Sequence, residues 1–322
     1  MNSTYHVPIL LDDQKLTELL SATLALQKID IPPAYVKKGK DLWLEWKTLT
    51  LAQDRLFDKV TIALVGKYTD LHDSYLSIVK SLEHAAMHCG RKLHLVWVGS
   101  EALEHATNIS DPAKFHKAWH DVCTADGILI PGGFGSRGTE GMIAAARWAR
   151  IKNVPYLGVC LGMQIAVVEY ARNVCNMKDA HSVEISAETP EPVIIFMPEG
   201  SKTHLGGTMR LGLRPTIFQP HTEWSKIRQL YGEVGEILER HRHRYEVNPE
   251  YIERLEKAGM NFVGRDDKGE RMEIIELKEH PYYIGVQFHP EYKSRVLSPS
   301  KPYLGFVAAS ARYGFSCSTA YD

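Results

Sequence analysis

The chain has 322 residues, of which 44% are hydrophobic and 24% charged, with 38 Lys+Arg set against 39 Asp+Glu. That is enough apolar material for a core and excludes a wholly disordered chain. The near-zero net charge excludes the broad basic excess of a dedicated nucleic-acid binder. No apolar run approaches the roughly 18–20 residues that span a bilayer, and the start MNSTYHVPILLDDQK has no basic region followed by an apolar stretch, so no signal peptide is expected. The five cysteines, Cys89, Cys123, Cys160, Cys175 and Cys317, are scattered without a CxxC pair. A disulfide scaffold and a cysteine zinc site are therefore not expected, and a cytoplasmic location is the simplest.

In chain order, residues 1–57 read as a separate tail and linker. VPILLDD predicts a short extended piece and LTELLSATLAL a helix. IPPAYVKKGKD is a Pro- and Lys-rich break. A second helix follows, with Leu42, Trp43, Trp46, Leu49 and Leu56 near helical spacing. From residue 58 to 313 the pattern changes to strands alternating with helices. VTIALVG predicts a strand buried on both faces. Asp73 or Ser74 caps an amphipathic helix through Tyr75, Ile78, Val79, Leu82, Ala85 and Ala86. KLHLVWV, GILI and PYLGVC predict further strands; PAKFHKAWHDVC, TEGMIAAARWARIKN and LGMQIAVVEYARNV predict helices. This alternation implies an α/β fold with a mostly parallel central sheet flanked by helices. Beyond it come short strands VIIFMP, FVGRD, MEIIEL and YYIGVQF, the helix NPEYIERLEKAG, and a packing helix in YLGFVAASARY. Residues 314–322 form a tail. No repeat or low-complexity tract is present.

The sharpest chemical signal is GVCLG, where Gly158 and Gly162 flank Cys160 between a buried strand and a helix. A nucleophile on such a turn is exposed at the carboxyl edge of a sheet. The glycines permit the turn and a close approach of substrate. The helix N-terminus favours thiolate, and the N–H of Leu161 points where an oxyanion would form. The other four cysteines read as ordinary thiols. A thiol needs a base. Of 15 histidines, His289 stands out because it follows a buried strand and is followed by Pro290 and Glu291, whose carboxylate is close enough to orient the ring. After GILI, the glycines of PGGFG expose backbone N–H groups, and Gly133 is a candidate second oxyanion donor. The pattern GxxxxGK[ST] is absent, which excludes a P-loop. The cluster Arg240–Asn248, RHRHRYEVN, is too small a patch for nucleic-acid binding and is better used to grip a carboxylate.

Taken together, PGGFG, GVCLGMQ and HPE in that order resemble the class I (triad) glutamine amidotransferases. The fuller strings GKYTDLHDSY, PGGFGSRGTEGMI, GGTMRLG, ERHRHRYEVNP and GVQFHPE resemble the glutaminase domain of the CTP synthase family, over about residues 59–310. The resemblance implies a flavodoxin-like fold and glutamine hydrolysis to glutamate and ammonia. Cys160 would be the nucleophile, His289 the proton carrier and Glu291 its orienter. Gly133 and Leu161 would bind the oxyanion, and Gln164, Glu184 and the region of Arg244 would hold the amino-acid end of L-glutamine. No metal or cofactor is implied in this chain; ATP, Mg²⁺, UTP and the activator GTP belong to the complete enzyme of the family. Its partner is an amidoligase domain, of which residues 1–57 resemble the tail, and its assembly is a tetramer or filament. Phe134, Arg137 and GGTMRLG would face the interdomain region. Two other readings stay open: a γ-glutamyl hydrolase-type cysteine hydrolase, and an assembly or regulatory module with little activity alone.

Overall fold

A computed structural model of the chain describes residues 3–197 and 209–312. Its main sheet has nine strands in the order β2-β1-β3-β4-β12-β11-β10-β7-β8. In sequence these are β1 (Lys59–Gly66), β2 (Lys92–Gly99), β3 (Gly127–Ile130), β4 (Tyr156–Val159), β7 (Arg210–Phe218), β8 (Glu236–His243), β10 (Asn261–Arg265), β11 (Met272–Glu276) and β12 (Tyr283–Val286). A three-stranded sheet joins β5 (Ala180–Ser182), β6 (Glu191–Phe196) and β9 (Tyr245–Val247) in the order β5-β6-β9.

Strands β2, β1, β3, β4 and β12 run parallel; β11, β10, β7 and β8 extend the sheet antiparallel. The parallel half follows from the sequence. GILI, YLGV and YIGV are buried at every position, as strands covered on both faces must be. The antiparallel half reads differently. Strand β8 alternates exposed and buried from Glu236 to His243, so its arginines Arg240 and Arg242 face outward while His241 and His243 face inward. The basic cluster is thus two surfaces of one strand.

The helix Leu161–Asn173 is buried from Leu161 to Ala171. It lies between the main sheet and the small sheet, contacting β4 and β12 on one side and β5 and β6 on the other. Gly158 and Gly162 make this packing possible. A Cβ on Gly162 would sit 2.1 Å from the Ile130 carbonyl oxygen, and one on Gly158 would sit 2.6 Å from the backbone of Gly162. The glycines serve the contact of helix with strand; the approach of substrate, expected from the sequence, is not what requires them.

Three local expectations change. VPILLDD is a helix (Val7–Asp13), with Pro8 in its first turn, where a missing N–H costs nothing. The Pro-rich break contains the start of a 21-residue helix, Pro33–Gln53, for the same reason. Asp73 and Ser74 lie in a 3₁₀ turn (His72–Tyr75), and the helix Leu76–His88 begins after it without a side-chain cap. The front segment touches the α/β body through Tyr5, whose hydroxyl donates to Glu83 Oε2 at 2.8 Å and whose carbonyl accepts from Trp46 Nε1 at 3.1 Å. Tyr5 and Leu49 pack there with Met87 and Val296. Among the described residues, no helix is long and apolar enough to cross a membrane. Cys317 and Gly206–Thr208 of the GGTMRLG string lie outside the described residues.

Candidate active site

Strands β3, β4 and β12 are adjacent and parallel, so their carboxyl ends stand side by side. Gly132 follows β3, Cys160 follows β4 and His289 follows β12. The chain leaving β4 stays tied to its neighbour through Cys160 N–H, which donates to the Val286 carbonyl at 2.7 Å. Cys160 then turns at φ 52°, ψ −101° before the helix starts at Leu161. A positive φ is uncommon for a residue with a side chain and costs of order 1–3 kcal/mol.

His289 is fixed from both directions. Its N–H donates to the Arg240 carbonyl of β8 at 2.7 Å, and its Nδ1 lies 2.8 Å from Glu291 Oε1. Its side chain lines the same cavity as Cys160, and a Cβ on Gly132 would stand between the two residues. Burial opposes charge on the ring. Glu291 and Cys160 outweigh it and hold the imidazole well above its ordinary range. Gly132 makes the room: a Cβ there would stand 2.8 Å from His289 Cε1.

Cys160, His289, Glu291, Gly132, Gly133 and Arg242 line one cavity of about 440 Å³, within the size range of small-molecule sites. Gly133 lies beside Leu161, whose Cδ2 would be 3.5 Å from a Cβ on Gly133. Leu161 is the first residue of its helix, where N–H groups have no intrahelical acceptor. The Gly133–Arg137 loop rests on Lys67, which donates to the carbonyls of Phe134 and Gly135, while Arg137 donates to the Lys67 carbonyl. Burial draws the Lys67 ammonium downward, with Glu184 opposing. Glu184 accepts from Gly135 N–H at 3.1 Å; burial raises its pKa against the pull of that N–H, Lys67 and Arg244. Arg244 is close enough to Glu184 to act on its charge, and Glu184 holds the Gly135 N–H of the loop whose Gly133 and Phe134 line the cavity. Gln164 is buried, donating to the Tyr245 carbonyl at 3.1 Å and to Gln287 Oε1 at 3.2 Å.

The sequence reading passed over several residues that the structure brings here. Arg242 lines the cavity and sits over the Phe134 ring at 6.0 Å; the strict alternation in β8 was the signal that separates it from its inward neighbours. Tyr68, Tyr75 and Tyr292 line the cavity too. Gln287 donates to Cys160 Sγ at 3.6 Å. Among the described residues, one group has metal-ligating atoms close together, His241, His243 and Glu273, all buried. Positive charge is already supplied there by Arg210, whose NH2 lies 3.2 Å from Glu273 Oε1. The two rings also bond one another, His241 Nδ1 to His243 Nε2 at 3.2 Å.

A cysteine at positive φ between a parallel strand and a helix, sharing one cavity with a histidine–glutamate pair, is an arrangement suited to cysteine-dependent acyl transfer, on a mostly parallel α/β sheet. The profile described as Glutamine amidotransferase class-I matches residues 70–309, and the chain belongs to that family. Its relatives are narrower still. It is 61% identical over 310 residues to the CTP synthase of Neurospora crassa, covering 96% of this chain and 53% of that protein. It is 60% identical over 311 residues to the CTP synthase of Schizosaccharomyces pombe, covering 97% and 52%. Among solved structures it is similar to the Trypanosoma brucei CTPS glutaminase domain with bound acivicin. There the TM-score is 0.72 and the identity 37%, over 80% of this chain and 95% of that one. The chain spans about half the length of the curated relatives it matches.

Proposed function

We propose that this chain hydrolyses L-glutamine to glutamate and ammonia, as the glutaminase half of a CTP synthase. The observation that carries the reading is the meeting of Cys160, on its positive-φ turn, with the His289–Glu291 pair in one cavity. The Cys160 thiolate adds to the side-chain amide carbon. The carbonyl oxygen becomes an oxyanion held by the N–H groups of Gly133 and Leu161. His289 gives its proton to the departing nitrogen, and ammonia leaves a thioester. Water then adds with His289 as base, the C–S bond breaks, and glutamate is released. Glu291 keeps the ring oriented and stabilises its charged form. Glu184 and Arg244 hold the α-amino and α-carboxylate groups, with Gln164 beside them. The ammonia is used by an amidoligase domain that aminates UTP with ATP and Mg²⁺ and, through GTP, controls this site. Residues 1–57 join the two domains, and the complete enzyme is cytoplasmic and oligomeric.

The test is ammonia release from glutamine by the chain alone, with the amidoligase domain, and with that domain plus GTP. The reading requires activity that rises along the series and is abolished by Cys160→Ser. Release that is unchanged in Cys160→Ser refutes it.

A further inference from the structure

The sulfur of Cys160 has a hydrogen-bond donor that the triad does not include. Gln287, 1% exposed, directs its Nε2 at Sγ from 3.6 Å, while its Oε1 accepts from Gln164 Nε2 at 3.2 Å. Gln164, itself 4% exposed, also donates from Nε2 to the Tyr245 carbonyl at 3.1 Å. An amide side chain has a donor end and an acceptor end, and which end faces where is fixed by its partners. A backbone carbonyl can only accept. Tyr245 therefore requires the NH₂ end of Gln164 on its side. That same NH₂ meets Gln287, so Gln287 must present oxygen to it and NH₂ to the sulfur. The polarity is imposed from the far end of the chain of bonds.

We propose that Gln287 is a catalytic residue of this site: it donates an N–H···S hydrogen bond that stabilises the Cys160 thiolate, and Gln164 is the positioning residue that sets its orientation. The proposal rests on the glutaminase reading for its purpose but not for its geometry. The other groups facing Cys160 are the Arg242 carbonyl, which accepts from Sγ at 4.0 Å, and His289, Glu291 and the phenols of Tyr68, Tyr75 and Tyr292, which line the same cavity. The backbone of Gln287 is held independently, its N–H donating to the Glu273 carbonyl at 2.9 Å, so side-chain substitution leaves the strand end tied.

The experiment compares wild type with Gln287→Met, close in volume but without a donor, Gln287→Glu, close in shape but an acceptor when ionised, and Gln164→Glu, which never touches the sulfur. The rate of Cys160 alkylation by iodoacetamide is measured across pH, with the adduct located by mass spectrometry and folding checked by thermal melts. Hydrogen bonds to a charged group are worth enough to change the rate at neutral pH about tenfold. Gln287→Met should lose about that factor and shift its pH profile upward; Gln287→Glu should lose more. Gln164→Glu should move the profile the same way, because Gln287 can then turn its oxygen toward the sulfur. Profiles of all three folded variants that superimpose on wild type overturn the proposal. Iodoacetamide does not use the glutamine clamp, so the two readings fail separately. Shifted profiles in a protein that does not hydrolyse glutamine with its partner domain and GTP would support the relay and refute the glutaminase.

Discussion

The His289 ring fits beside Cys160 because residue 132 has no side chain. A Cβ at that position would lie 2.8 Å from His289 Cε1, a contact that the ring can relieve only by moving. Gly132→Ala should therefore spare the fold and damage the reaction. A displacement of about 1 Å can cost roughly 100-fold in rate, and a drop of that order in glutamine turnover, with a melting temperature changed little, is the expected result. Glu291 offers a complementary test. Glu291→Gln keeps an acceptor for His289 Nδ1 but removes the charge that offsets burial of the ring. Turnover should fall about 100-fold or more. The ring should also titrate at lower pH than in wild type, which the imidazole NMR resonances would report. The sign for stability follows from the same shift. A histidine raised in the folded state contributes most below its unfolded value near 6.5 and loses that contribution as pH rises through the folded value. The advantage of wild type over His289→Gln, read from urea midpoints, should accordingly be larger at pH 6 than at pH 9.

At the scale of elements, the elbow is the most tightly specified part of the fold. Gly162→Ala would drive a methyl to 2.1 Å from the Ile130 carbonyl oxygen, a contact with backbone that no rotamer relieves. A loss of about 3 kcal/mol or failure to fold is expected from denaturant unfolding. The element on the other side of the site, β8, carries a pH-dependent cost. His241 and His243 are driven down by burial to about 2 and about 3, so both rings are neutral. Beside them Glu273 is pushed by burial up to about 8 against the pull of Arg210. A carboxyl raised in the folded state binds its proton there while the unfolded chain has released it, so stability falls as pH rises from about 4.5 to about 8. Glu273→Gln lacks this slope. Its melting temperature relative to wild type should climb across that range, and a constant difference would contradict the assignment. Much of this was legible in the sequence. GVCLG announced a strand, a turn and a helix because glycine spacing and a continuous apolar run are local properties, and His-Pro-Glu after YYIGVQF placed a base at another strand end. The antiparallel strands β7 and β8 were not read, because the charges of RHRHR obscured a period of two whose buried members are histidines. Gln287 was hidden for another reason: its role depends on an amide orientation set by Tyr245, more than forty residues away in the chain.

On the scale of the whole molecule, a rigid sheet carries a site whose upper wall is loop. Phe134 is 39% exposed and packs against Arg242, and Arg137 reaches Tyr68 and Glu101. Walls of this kind sample conformations that only a neighbour narrows. The front segment leaves many apolar side chains exposed, among them Leu19, Leu24, Ile29 and Leu44, and is tied to the body chiefly around Tyr5. Tyr5→Phe should cost about 1 kcal/mol through loss of the bond to Glu83 and leave the chemistry at Cys160 untouched, as thermal melts and alkylation rates would show. The central claim is that Cys160, activated by His289, is the nucleophile toward glutamine. It is tested most directly by incubating the protein with a diazo-ketone analogue of glutamine and locating the adduct by mass spectrometry. A single adduct on Cys160, suppressed by excess glutamine and lost in His289→Gln, is the predicted result. Equal labelling of Cys89 or Cys175, or labelling of Cys160 that glutamine does not suppress, would contradict it.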